Sequence, residues 1–257
     1  MNLSRILTIA IHVFWEVLRE RVLYIVGFFL IVFPSAILLL KEFSVGTEKK
    51  IILDFGIALI GLLGLVVAVF VGTGLINKEI EKRTVLVTIS KPVSRSEFII
   101  GKHLGLSAVL ALLVTLMTVI YLVILSLYQV KYPIGSILVA ALYLFFELSL
   151  LAAVAILFGV FTSSLLATSL TISVYVMGHL SRDLLQLGDI SKNPTIKNVT
   201  QGIYLVLPDL ARLDLKNQAV YGILPPPTEL LFNAGYGLLY IVLLLAIANL
   251  IFWRREF

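Results

Sequence analysis

Apolar residues fall in six long runs, at roughly 22–40, 54–76, 103–127, 136–160, 165–181 and 229–252, separated by shorter polar breaks. A helix needs about 20 apolar residues to cross the ~30 Å hydrocarbon core of a bilayer, so the pattern predicts six spanning helices. Ahead of them, residues 3–20 place Arg5, Thr8, His12, Glu16 and Arg19 three or four apart, opposite Ile6, Ala10, Val13, Phe14 and Val17. That spacing predicts an amphipathic helix lying in the membrane surface, with Phe14 and Trp15 at the headgroup boundary. The charged turn Arg19-Glu20-Arg21 marks where the chain bends into the bilayer, and Pro34 predicts a kink in the first span. Only Phe161-Thr162-Ser163-Ser164 joins the fourth and fifth spans, which must form a tight antiparallel hairpin. The expectation is one all-α transmembrane domain over residues 1–257.

Composition agrees with that pattern. Of 257 residues, 60% are hydrophobic and 14% charged, and the mean hydropathy is +1.07; a soluble domain of this length needs a charged skin that these residues cannot make. The net charge of +5 does not point to nucleic acid, because the basic residues sit beside the apolar runs. They report topology instead. Arg5, Arg19, Arg21, Lys78, Lys82, Arg83, Lys91, Arg95, Lys102, Arg254 and Arg255 fall on one side, against Lys41, Lys49, Lys50 and Lys131 on the other. Positive residues favour the cytoplasm, so both termini and the 77–102 loop are expected inside and segment 182–228 outside. With no cysteine, disulfides, thiolate catalysis and cysteine-held metals are excluded. Glu16, Arg19, Glu20 and Arg21 stand where a signal peptide has small residues, so the N-terminal helix is expected to stay in the mature chain. No internal repeat is evident, which argues against an inverted-repeat secondary transporter.

The outer segment has helical spacing at Ile196, Val199, Ile203, Tyr204 and Leu207, with Pro208 and Pro225-Pro226-Pro227 as punctuation. It is expected to pack on the outer membrane surface or dip into it, with Thr228 as the N-cap of the last span.

The loop from Asn77 to Gly105 carries the strongest local signals. Ser94-Arg95-Ser96-Glu97 is a capping box, so a helix starts there and runs into the third span. Pro92 stops any helix before it, which leaves a separate short helix over Glu81 to Ile89. Such a helix offers Val85, Leu86 and Ile89 to a partner's groove, with Glu79, Glu81, Lys82 and Arg83 on the rim. A lipid anchor through the loop's six basic residues is the plainer reading.

Glu79-Ile80-Glu81-Lys82-Arg83-Thr84, Ile89-Ser90-Lys91-Pro92-Val93-Ser94-Arg95 and Phe98 to Lys102 resemble the cytoplasmic loop of ABC-2 type transporter permeases. The branch resembled most is that of the nitrous-oxide reductase maturation and gliding-motility permeases. The likeness includes the N-terminal elbow helix (1–21), the six spans, and an outer segment holding Leu207-Pro208-Asp209-Leu210 and Asp214. It implies an ATP-driven exporter in a prokaryotic plasma membrane. Two copies of this permease, or this chain and a paralogue, would work with two separate ATPase subunits that bind ATP and magnesium, with Glu79 to Ile89 as the coupling helix in the ATPase cleft. The chain holds no cofactor of its own and is not an enzyme: around Gly101-Lys102, Ser96 stands where a P-loop has its first glycine, and His103 where it has a hydroxyl.

Glu147 lies near the middle of the fourth span, where an acidic side chain costs about 2.5–3.5 kcal/mol on insertion scales. About fourteen Leu, Ile, Val and Phe residues in the run, at about 0.3–0.6 kcal/mol each, offset that cost. Glu147 is expected to face other helices, protonated or paired with Ser, Thr, Tyr or Asn, either lining a transport path or making a structural hydrogen bond. His179 reads as an interfacial hydrogen-bonding residue, and no metal triad can be assembled from the three histidines. Asn233, Asn249 and the glycines of spans two and six suit close helix packing. Intramembrane proteolysis through Ser107 lacks a base, His179 being at the opposite face. A non-transporting anchoring or assembly subunit is the other alternative; it would keep the loop as a docking site and need no path.

Overall fold

The computed structural model describes residues 2–43, 48–81, 94–191 and 193–254, and among them every regular element is helical. Helix α1 (Leu3–Val17) continues through a π-helical turn, Leu18–Val22, into α2 (Leu23–Phe43). The charged turn therefore does not break the helix but widens it by one residue per turn. There follow α3 (Glu48–Glu81), α4 (Arg95–Leu127), α5 (Ile134–Phe161), α6 (Ser164–His179), α7 (Ser181–Ile190) and α8 (Pro194–Val206). A 3₁₀ turn, Leu210–Arg212, and α9 (Lys216–Tyr221) lead to α10 (Pro227–Arg254).

Helices α2, α3, α4, α5 and α10 are long and apolar enough to cross a membrane, and the bent pair α6–α7 makes a sixth if counted as one span. Helix α5 is the central column, with α3, α4, α6, α9 and α10 packed around it. Small residues let the backbones close up: a Cβ on Gly72 of α3 would come within 2.8 Å of the Ala155 Cβ of α5. Across α2, α3 and α4, Phe33 packs at a tilt beside Tyr121, whose hydroxyl donates to the Leu53 carbonyl at 3.1 Å.

The fifth run ends in a bend: α6 has 16 residues, a rise of about 24 Å, and the chain then turns by 57° into α7. The break is stabilised by Ser181, whose hydroxyl donates to the Gly178 carbonyl at 2.9 Å, and Gly178 leaves room for Pro208 and Leu210 to sit on it. In helix α8 Ile196 and Val199 are exposed, as a stripe expected on a membrane surface requires, and Ile203 and Tyr204 are half-buried; Thr200 is buried against Gly188 of α7. The last helix starts at Pro227, with the Pro226 carbonyl accepting the Leu230 N–H; a proline suits the first helical position because its missing N–H costs nothing there. Thr228 is inside the helix, not its cap.

The N-terminal helix has two apolar ridges where the sequence reading found one. Ile6, Val13 and Val17 are buried against α4, while Leu3, Leu7, Ile11 and Trp15, at four-residue intervals, are exposed and suit a lipid headgroup boundary.

Candidate functional site

Of the loop residues singled out by sequence, Lys82, Arg83, Thr84, Val85, Leu86, Ile89 and Pro92 lie outside the described residues, as does the side chain of Glu81. Glu79, Ser94 and Arg95 flank that segment, and each has a defined partner. Ser94 caps α4 as the spacing predicts: its hydroxyl accepts the Glu97 N–H at 3.2 Å, and the Glu97 carboxylate accepts the Ser94 N–H at 3.0 Å. The other Glu97 oxygen accepts the N–H of Asn2 at 2.6 Å, so one carboxylate satisfies backbone donors at the starts of α1 and α4. Arg95 donates to the carbonyls of Phe252 at 2.8 Å and Trp253 at 2.6 Å, which are acceptors left over at the end of α10. Lys102 of α4 donates to Glu79 of α3 at 2.5 Å. Helices α1, α3, α4 and α10 are thus tied together at one end of the bundle, where α3 ends and α4 begins.

The closeness of α1 and α4 depends on glycine. A Cβ on Gly101 would lie 2.7 Å from the Ile9 Cβ, and one on Gly105 would lie 2.7 Å from the Ala10 carbonyl oxygen and the Val13 Cβ. Sequence reasoning missed this contact, although the Gly-x-x-x-Gly spacing at 101 and 105 is the signal that finds it.

At the other end, the outer-segment residues form a node around Asp209, which is 2% exposed. Its carboxylate accepts from the Arg182 Nε and the Arg212 Nε at 3.0 Å each and from the Ser181 hydroxyl at 3.4 Å, while its own N–H donates to the Tyr236 hydroxyl at 2.9 Å. Arg212 also donates to the Tyr204 hydroxyl and lies over the Tyr236 ring. The Tyr204 bond, with Asp209, raises the Arg212 pKa above its ordinary value against the opposing effect of burial. Pro208 is buried at the α6–α7 break, and α7, α10 and the 3₁₀ turn meet at one residue, Asp209, α7 and the turn through its carboxylate and α10 through its N–H.

From there the chain returns into the bundle. Asp214 and Lys216, 3.2 Å apart, reach the middle of α5. His179 Nε2 is 3.4 Å from Glu147 Oε1 and 3.7 Å from Asp214 Oδ2. Glu147, 2% exposed, thus faces an imidazole, where the sequence led to a protonated carboxyl or a Ser, Thr, Tyr or Asn partner. The reason is the break after His179, which brings the outer segment down onto α5. Burial depresses the Lys216 ammonium, but Asp214, Glu147 and Tyr175 more than reverse this and hold its pKa above the ordinary value. The cluster is charged and largely enclosed.

A cavity of 580 Å³ between α4, α5 and α10 is lined mainly by apolar side chains, with His103, Ser107 and Ser149 on one wall. Ser107 has a nearby imidazole after all: His103 Nε2, one turn back, is 3.5 Å away. That nitrogen also lies 3.0 Å from the Ser149 carbonyl oxygen. A carbonyl only accepts, so Nε2 carries the hydrogen and cannot take a proton from Ser107. The arrangement binds helices together and does not make a nucleophile. Among the described residues there is no cluster of His, Asp and Glu able to hold a metal.

A sequence profile of the family described as ABC-2 family transporter protein matches residues 7–257. No curated protein matches the chain.

Proposed function

The chain belongs to the ABC-2 family of transporter proteins, and on that premise we propose that it is the membrane subunit of an ATP-driven exporter, coupled to separate ABC ATPase subunits. Two such ATPase subunits, holding ATP and magnesium, would act on a pair of permease chains, either two copies or this chain and a paralogue. The coupling helix expected over Glu79 to Ile89 would dock in the ATPase cleft as an amphipathic helix in a groove. The observation that supports this reading is the tying of α1, α3, α4 and α10 to one another, through Glu97, Arg95 and Lys102, where α3 ends and α4 begins. A pull there would reach four helices as one body, and rigid-body rotation of packed bundles is a common way to change access across a membrane. Export, kinship with the nitrous-oxide reductase maturation and gliding-motility permeases, and a prokaryotic plasma membrane with cytoplasmic termini follow from the sequence resemblance and the distribution of basic residues.

The test is deletion of Glu81 to Ile89 in the full chain, expressed with its native partners. Loss of ATPase co-purification, or ATP hydrolysis that no longer depends on the permease, is the expected result. A complex that remains assembled and moves substrate normally after the deletion would refute the coupling assignment.

A further inference from the structure

His179 Nδ1 lies 3.0 Å from the carbonyl oxygen of Tyr175, one turn back on α6. A carbonyl has no hydrogen to give, so Nδ1 must carry the imidazole's hydrogen and donate it. In a neutral ring this leaves a lone pair on Nε2, the atom that faces Glu147 Oε1 at 3.4 Å and Asp214 Oδ2 at 3.7 Å. Ionised carboxylates only accept, so the neutral arrangement sets lone pair against lone pair. Neither His179 Nε2 nor Glu147 Oε2 has a hydrogen-bond partner among the described residues. The charges lead to the same conclusion. Two carboxylates, Glu147 and Asp214, face one ammonium, Lys216, which leaves one negative charge uncompensated in a largely buried site, an arrangement that is strongly unfavourable. A single proton on the Glu147–His179 pair removes both problems.

The other elements packed on α5 do not supply that proton's charge. His103 of α4 is bonded to Ser149, Asp54 of α3 lies by Lys50, and Tyr236 of α10 is engaged by Asp209. From α6, Tyr175 packs its ring 4.5 Å from that of His179.

We propose that Glu147 and His179 form a proton-binding site, and that the bound proton seals the 209–222 segment into the bundle through Asp214 and Lys216. The proton comes from water and returns to it; no other group is consumed. Because it is held in the docked state, docking is complete on the acid side of the site's titration and is lost as the pH rises through it. The outer element thereby becomes a proton-linked gate. This inference rests on side-chain geometry and does not depend on how the chain is driven.

Two measurements on the full chain in lipid nanodiscs test it. The first is the ¹⁵N imidazole spectrum of the three histidines from acid to alkaline pH. The His179 Nε2 signal is expected to report the shared proton on the acid side and to lose it as the segment undocks. Glu147→Gln, whose amide can donate to Nε2 in the proton's place, should uncouple that signal from docking, and Asp214→Asn, which removes the second carboxylate, should alter it. The second uses the cysteine-free background: maleimide labelling of A219C, at a fully buried position, divided by that of N217C, at an exposed one. The ratio should rise as the proton leaves in the otherwise wild-type chain and stay low with Glu147→Gln. A His179 signal that does not change with docking, or the same change in both the Gln and Asn variants, would overturn the site. A labelling ratio that stays flat through the change would overturn the seal.

Discussion

Asp209 holds the outer segment in place at a single carboxylate. With two guanidinium nitrogens at 3.0 Å and 2% exposure, it cannot be removed without leaving charged donors unmatched. Breaking a fully buried pair costs about 3–5 kcal/mol, but Arg182 is half exposed and Arg212 over a third exposed, so water recovers part of the loss. Asp209→Ala is expected to destabilise by about 1–3 kcal/mol, read as a lower unfolding midpoint of the purified chain, with Asp209→Asn intermediate. The sequence marks this position through Leu207-Pro208-Asp209-Leu210 but says nothing of its partners, which come from α7 and α10. Glu147 teaches the same lesson. That a carboxylate in the middle of an apolar run must find company is plain from the run itself, but His179 as its partner depends on a helix break that composition does not signal.

At the scale of elements, local chemistry was readable and inter-helix chemistry was not. The capping box at Ser94 is a rule about four adjacent residues, and both of its hydrogen bonds form. The second use of Glu97, toward Asn2, spans 95 positions and left no local trace. Helix α1 was recognisable by its period, whereas its seat on α4 depends on the missing side chains of Gly101 and Gly105. Helix propensity alone predicts that glycine to alanine stabilises by about 1 kcal/mol. At Gly235, where a Cβ meets nothing within 4 Å, that gain should appear as a raised unfolding midpoint. At Gly105, a Cβ would lie 2.7 Å from a backbone oxygen, so Gly105→Ala is expected to lose about 1–3 kcal/mol net. Opposite signs for the two alanine variants in one thermal assay are the check.

For the whole molecule, the apolar pattern and the charge distribution together give an all-helical membrane chain, and the family profile over residues 7–257 agrees. The pattern left open whether segment 182–228 lies on the surface or dips inward; its 209–222 stretch packs into the bundle, through polar anchors whose partners no local pattern names. The expected orientation has a direct check. In intact cells, an impermeant thiol reagent should modify N217C on the outer segment and leave S4C on the N-terminal helix untouched until the membrane is opened; the reverse pattern would invert the topology.

The start of α1 and the end of α10 are stitched to neighbouring residues at the start of α4: Asn2 to Glu97, and Phe252 and Trp253 to Arg95. A dye placed at S4C would therefore act as a strain gauge for that junction, and a bulky group there would load it.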